Sequence, residues 1–215
     1  RINPSEKPVA FTLHMAACLA DKAEVTASLI DKANAAPHRK SESTLWPKWI
    51  TTGGKIGAND RAYAIDTIHV PFDNPYKALM FTSGLDFFSG GDIAVSTLHG
   101  DVWLVRGVGE DLSDAKWKRY ATGLCQPLGL KIVDDKVYVL GKDQITRLHD
   151  RNGDDEADFY ECFNNDGQTS LGGHDYAACL ETDPDGNFYY IRAHEGVCRV
   201  SADGSTHQSL ATGFR

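Results

Sequence analysis

The chain has 215 residues, 41% hydrophobic and 24% charged, the balance of a folded globular protein rather than a disordered one. With 22 Lys and Arg against 30 Asp and Glu, the formal net charge of −8 argues against nucleic acid or an anionic membrane as the main partner, because phosphates are held by clustered cations. No apolar run approaches the roughly 18 residues of a membrane span.

The chain begins on Arg1 without a charged-then-apolar leader, so its start is expected to be a cut end. Residues 12–36 carry Leu13, Ala16, Leu19, Ala23, Ala27 and Ile30 at helical spacing, and Pro37 with the polar run His38–Ser43 ends that pattern. Residues 45–60 read as a linker with two aromatic anchors, Trp46 and Trp49. The expected boundary thus separates 1–60, a helical segment and linker without evident chemistry, from 61–215.

From Tyr63 onward, short β runs alternate with Gly, Asp and Asn, and three segments align. The first runs from Gly84-Leu85 through Gly90-Gly91-Asp92-Ile93-Ala94-Val95 to Val102-Trp103-Leu104-Val105. The second runs from Gly129-Leu130 through Asp134-Asp135-Lys136-Val137-Tyr138-Val139 to Ile145-Thr146-Arg147-Leu148. The third runs from Cys179-Leu180 through Asp185-Gly186-Asn187-Phe188-Tyr189-Tyr190 to Gly196-Val197-Cys198-Arg199-Val200. The shared Leu recurs at 85, 130 and 180, so the period is 45 and then 50. Each unit reads as three strands and a more variable outer one, such as Trp117–Ala121 or His207–Ala211. Four strands in about 45 residues is the unit of a β-propeller blade. The expectation is an all-β partial β-propeller of about three four-stranded blades, near 84–123, 129–166 and 179–213. A sandwich of hairpins is the alternative, but it gives no reason for a fixed period. Three blades cannot close a ring, so the chain is expected to be part of a larger propeller.

The five cysteines (Cys18, Cys125, Cys162, Cys179, Cys198) include no pair three residues apart. That excludes zinc ribbons, thioredoxin-type motifs and a covalently attached c-type haem in this chain. They are too sparse for a disulfide scaffold and read as small buried residues.

The segment Asp150-Arg151-Asn152-Gly153-Asp154-Asp155-Glu156-Ala157-Asp158 carries the strongest local chemistry. Counting Asp150 as position 1, side-chain oxygens fall at positions 1, 3, 5 and 9 and at Glu161 in position 12, with the Glu156 carbonyl at 7. That is the ligand order of a calcium loop, because Ca²⁺ takes six to eight hard oxygens. Asp155 stands at position 6 where Gly is usual, although Asp tolerates a left-handed backbone. The flanks read as strands, which would put Glu161 on one face with Phe159 and Phe163 and leave its role as a ligand in doubt. The expected ligands of a structural Ca²⁺ are therefore Asp150, Asn152, Asp154, Glu156 and Asp158. A solvated acidic turn is the alternative.

A second constellation is Gly172-Gly173-His174, followed by Asp183-Pro184-Asp185-Gly186 and Phe188-Tyr189-Tyr190. It resembles the His-x-Gly-Gly, Gly-Pro-Asp-Gly, Leu-Tyr pattern of the glucose/sorbosone dehydrogenase family, propellers that use pyrroloquinoline quinone (PQQ). Gly123-Leu124-Cys125-Gln126-Pro127-Leu128-Gly129-Leu130 resembles the blade opening of that family. Gly213-Phe214-Arg215 resembles the start of its quinone-contacting arginine motif. Residues 63–215, above all the runs 70–81 and 126–150, look like the propeller of large secreted bacterial dehydrogenase-like proteins, often joined to a c-type haem domain.

The resemblance implies His174 as catalytic base, Arg215 as a quinone contact, and a sugar or alcohol substrate. It also implies an electron acceptor such as a c-type cytochrome domain outside this chain, and a periplasmic or extracellular location. A turn His, or a channel-lining His in a non-catalytic glycan- or protein-binding scaffold, is the alternative reading of His174. His194-Glu195 is not the start of an HExxH motif, since position 198 is Cys, and no GxSxG, Walker or GxGxxG sequence is present.

Overall fold

The computed structural model describes residues 44–169 and 174–212. The expected helix over 12–36 and the residues Gly172, Gly173 and Arg215 lie outside the described residues. The described residues belong to one compact unit, which begins at Thr44. No helix among the described residues is long and apolar enough to cross a membrane.

The second unit opens with β1 (Ile50–Thr52), β2 (Gly54–Lys55) and β3 (Thr67–Ile68), of which β2 and β3 pair as a small antiparallel ribbon. Three meanders follow. The first contains β4 (Thr82–Phe87), β5 (Ile93–Thr97), β6 (Val102–Arg106) and β7 (Ala115–Ala121). The second contains β8 (Gly129–Val133), β9 (Lys136–Leu140), β10 (Ile145–His149) and β11 (Phe159–Asn164). The third contains β12 (Ala177–Thr182), β13 (Phe188–Arg192), β14 (Gly196–Val200) and β15 (His207–Ala211). Each strand pairs antiparallel with the next, giving the orders β4-β5-β6-β7, β8-β9-β10-β11 and β12-β13-β14-β15. This is the all-β, partial propeller that the repeat predicts.

β1 adds a fifth strand outside β7, with Ile50 opposite Trp117. Part of the expected linker is therefore a strand of the first sheet. The two tryptophans do act as anchors: Arg119 lies over the Trp46 ring at 5.1 Å and Arg106 over the Trp49 ring at 5.3 Å.

Turn chemistry sets the registers. Asp134 and Asp135, between β8 and β9, have φ of 50° and 55°, the paired left-handed conformation of a type I′ hairpin, which matches strand twist. The Asp135 carboxylate then accepts from the Ser89 N–H (2.7 Å) and the Ser89 hydroxyl (2.6 Å), joining the equivalent turns of neighbouring blades.

The core lies between sheets. Ala94, Leu104 and Ala121 of the first blade meet Leu130, Val137, Val139 and Leu148 of the second. Tyr138, Leu140 and Ile145 of the second meet Leu180, Phe188, Tyr190 and Val200 of the third. On the far side of the first blade, Ile93, Val95, Trp103, Val105 and Trp117 are covered by Ile50, Ile68, Val70, Tyr76 and Ala78.

The repeated Gly-Leu pair explains how one blade seats on the next. A Cβ added to Gly84 would lie 2.9 Å from Leu130 N, and one added to Gly129 would lie 2.9 Å from Leu180 Cβ. The glycine of each inner strand thus receives the leucine of the following blade. Leu130 and Leu180 are buried, whereas Leu85, which has no preceding blade to receive it among the described residues, is 58% exposed.

The cysteines correct one expectation. Cys125, Cys162 and Cys179 are exposed and only Cys198 is buried among the described ones. Cys179 stands where the other two repeats have Gly, and its φ of 60° turns it out of the sheet.

Candidate functional site

Residues 150–158 connect β10 to β11 and form a tight acidic loop. Asp150 accepts from the N–H groups of Gly153 (2.7 Å) and Asp155 (2.9 Å). Asn152 Oδ1 accepts from Asp154 N–H (3.0 Å), Asp154 from Glu156 N–H (3.0 Å), and Asp158 from Arg151 N–H (2.8 Å). Carboxylates so close repel, and the main-chain donors relieve part of that repulsion. Asn152 Nδ2 stands between Asp154 (3.2 Å) and Asp158 (3.4 Å). Asp155 has φ 65°, so the sixth position takes the left-handed turn that a calcium loop requires there.

The donor set suits a hard cation: side-chain oxygens of Asp150, Asn152, Asp154 and Asp158, with the Glu156 main-chain carbonyl in sequence between them. Two acids have other work. Glu161, on β11, meets His149 Nε2 at 2.7 Å and Arg147 at 3.6 Å, so the twelfth position is committed elsewhere. The buried Glu156 carboxylate accepts from Leu45 N–H (2.7 Å) and Trp46 N–H (2.8 Å) and faces the buried Lys118 ammonium at 3.6 Å. Only its carbonyl can serve a metal.

The loop belongs to the second blade but is latched to the first. The Arg106 guanidinium grips both Asp155 oxygens (2.7 and 2.8 Å) while its Nε reaches Asp92 at 2.9 Å. Burial works against that charge, but the two carboxylates outweigh it and raise Arg106 above its ordinary range. Lys118 Nζ donates to the Asp154 carbonyl, and Ala157 N–H to the Tyr120 carbonyl at 2.8 Å. Burial, with the neighbouring Asp150 charge second, pushes the Tyr120 phenol well up. Beside this latch, a cavity of about 360 Å³ opens between the blades, walled by Phe88, Leu104 and Val137 and rimmed by Arg106, Arg147 and Asp150.

His174 is exposed, three residues before the inner strand β12. Arg215, the expected quinone contact, lies outside the described residues. At the inner strands, Lys131 bridges Asp86 (3.4 Å) and Glu181 (2.9 Å). All three immediately follow the repeated Leu, so they mark equivalent positions of three blades. The Glu181 hydrogen bond, outweighing burial, raises Lys131 above the usual lysine range.

Sequence reasoning missed a further cluster. Glu195, Cys198 and His207 place one donor atom each within 4.8 Å of one another. Burial foremost, then the Glu195 charge, pushes the Cys198 thiol up to about 11. The only sequence signal was His194-Glu195 with Cys198 three residues on, which fails as a zinc helix because these residues form a hairpin.

No family model matches the sequence, and no curated protein matches it. The resemblance to glucose/sorbosone dehydrogenases therefore stays at the level of the motifs quoted above. Among solved structures, the chain is similar to virginiamycin B lyase from Staphylococcus aureus, at 12% identity and a TM-score of 0.43. The match covers 61% of this chain and 42% of that one, so it spans less than half of that protein's length. The fold assignment rests on the three repeated sheets themselves.

Proposed function

We propose that this chain is a calcium-stapled section of a quinone (PQQ)-type sugar or alcohol dehydrogenase-like propeller, exported to the periplasm or beyond the cell. The observation that carries the calcium half is the loop from Asp150 to Asp158, with Asp and Asn oxygens at alternate positions bonded to its own main chain and a left-handed sixth residue. Because Arg106, Lys118 and Ala157 tie that loop to the first blade, an ion held there would stiffen the seam between blades. Water would complete the coordination in place of Glu161.

The dehydrogenase half is supported by the motifs around His174 and Arg215. Such a quinone supplies hydride acceptance when bound. His174 would take the proton of the substrate hydroxyl, and Arg215 would hold quinone oxygens through a planar, two-pronged contact. Electrons would leave to an acceptor such as a c-type cytochrome domain outside this chain.

Chelation tests the first half. A ligand that binds only the folded state stabilises it by about 2.7 kcal/mol at a hundred times its Kd. Chelator should therefore lower Tm by roughly 5–10 °C, and Asp154→Ala should abolish that sensitivity. Equal melting with and without chelator removes the ion from the proposal. For the second half, protein supplied with PQQ and Ca²⁺ is assayed for dye reduction on a sugar and alcohol panel. His174→Asn should lower turnover by about a hundredfold or more while quinone binding persists.

One observation favours a second reading, a non-catalytic scaffold for glycan or protein. No hydrogen bond or ion pair joins the exposed His174 to another described residue, so nothing described orients it as a base. Full activity of His174→Asn, or binding of glycans without dye reduction, would select the scaffold.

A further inference from the structure

We propose that Glu195, Cys198 and His207 form a three-ligand site for a zinc-type divalent cation in the third blade, separate from the acidic loop. The site is assembled by the β13–β14 hairpin and the strand beside it: Glu195 in the turn, Cys198 on β14 and His207 at the start of β15.

Three observations point to an ion rather than to packing alone. The three donor atoms converge, with Glu195 Oε2 lying 3.8 Å from Cys198 Sγ and 4.0 Å from His207 Nε2. Zinc bonds of about 2.0–2.3 Å at tetrahedral angles imply donor separations of about 3.4–3.6 Å, so these two separations need to close by roughly 0.2–0.6 Å. Cys198 is fully buried, and the His207 side chain is nine-tenths buried with an Nε2 that makes no hydrogen bond. A buried imidazole nitrogen without a partner is costly, and a metal would satisfy it. The carboxylate is also pre-aimed. Glu195 Oε1 accepts from Gln168 N–H (3.1 Å) and the Glu195 carbonyl from the Ser209 hydroxyl (2.5 Å), leaving Oε2 turned toward sulfur and imidazole.

The donor chemistry selects the ion. Thiolate with imidazole and one carboxylate suits zinc and disfavours calcium or magnesium, which take oxygen ligands. On binding, the Cys198 thiol releases its proton to solvent, and water takes the fourth position that three protein ligands leave open. Arg192 is the competing cation, with Nε 3.4 Å from the same Glu195 oxygen. Its Nη1 already donates to the carbonyls of Lys142 (2.9 Å) and Gln168 (3.2 Å) and to the Thr169 hydroxyl (3.4 Å), so the guanidinium keeps partners when an ion claims Oε2.

The test uses the whole chain, stripped with chelator, desalted, and loaded with Zn²⁺ or Co²⁺. One equivalent of zinc should survive desalting, and cobalt should give a thiolate-to-metal charge-transfer band with tetrahedral visible absorption. Cys198→Ser and His207→Ala should each lose the band and the retained zinc, while Asp154→Ala, in the acidic loop, should keep both. Folded wild-type protein that retains no zinc, or a cobalt spectrum without a thiolate band, overturns the proposal. The wild-type spectrum decides alone where a variant fails to fold.

Discussion

Replacing Gly129 by Ala tests the seating of one blade on the next. The added Cβ would lie 2.9 Å from Leu180 Cβ, 3.0 Å from Leu180 N and 3.1 Å from Cys179 C. Two of those atoms are backbone, so no rotamer change relieves the overlap and inner strands β8 and β12 must separate. Overpacking of this kind costs about 1–3 kcal/mol. For a unit of this size that corresponds to a fall in Tm of roughly 3–10 °C. Gly84→Ala should behave alike, since its Cβ would lie 2.9 Å from Leu130 N. Gly90→Ala is the internal control, because nothing lies within 4 Å of its Cβ. It should stay within about 0.5 kcal/mol of wild type. Urea denaturation followed by tryptophan fluorescence reads all three. A Gly129→Ala protein as stable as Gly90→Ala would refute the seating.

Asp183 accepts from Asp185 N–H, Asn187 N–H, the Asn187 amide and the Tyr189 hydroxyl at 2.8–3.0 Å, and these bonds, that from the Asn187 amide first, hold its carboxyl below the usual range. A lowered folded-state pKa adds stability above the unfolded value of about 3.9, and that stability is lost as pH falls through the folded value. Wild type should therefore exceed Asp183→Asn in Tm at pH 6, and the gap should begin to narrow below about pH 4 and close only as pH falls past the lowered folded-state value; a gap that does not narrow on acidification refutes the assignment. Lys131→Met removes the bridge between Asp86 and Glu181 and should cost about 1 kcal/mol in low salt. Since Glu181 is 71% exposed, high salt should shrink that difference, and a salt-independent loss would mean that packing rather than charge is responsible.

The blades were legible because a fixed period forces the same residues into the same places. Gly84 and Gly129 announce the close approach of inner strands, and Leu130 and Leu180 announce what fills it. The acidic loop was legible for a similar reason: Asp and Asn two apart bond their own backbone, a purely local preference. What stayed hidden depends on distant pairs. Nothing near Glu156 says that its carboxylate faces Leu45 and Trp46, and nothing near Ile50 says that it will pair with Trp117. Cys179 was read as buried because cysteine usually is, whereas its left-handed backbone turns it outward. The Glu195, Cys198 and His207 cluster comes from a hairpin whose β14–β15 register shifts between Val197 and Cys198, an irregularity that residue spacing does not encode.

The bond from Glu156 to Leu45 spans 111 residues, and this separation orders events in time. Closing a loop of that size costs about 4 kcal/mol of chain entropy beyond the constant term. Two amide–carboxylate bonds, three β1 pairings and two stacked tryptophans cannot offset that cost until the sheets they dock on already exist. The strand β1 can therefore dock only once β7 of the first blade exists, and the bonds from Leu45 and Trp46 to Glu156 need most of the second blade as well. Those two bonds are thus the last contacts of residues 45–52 to become available as the chain lengthens.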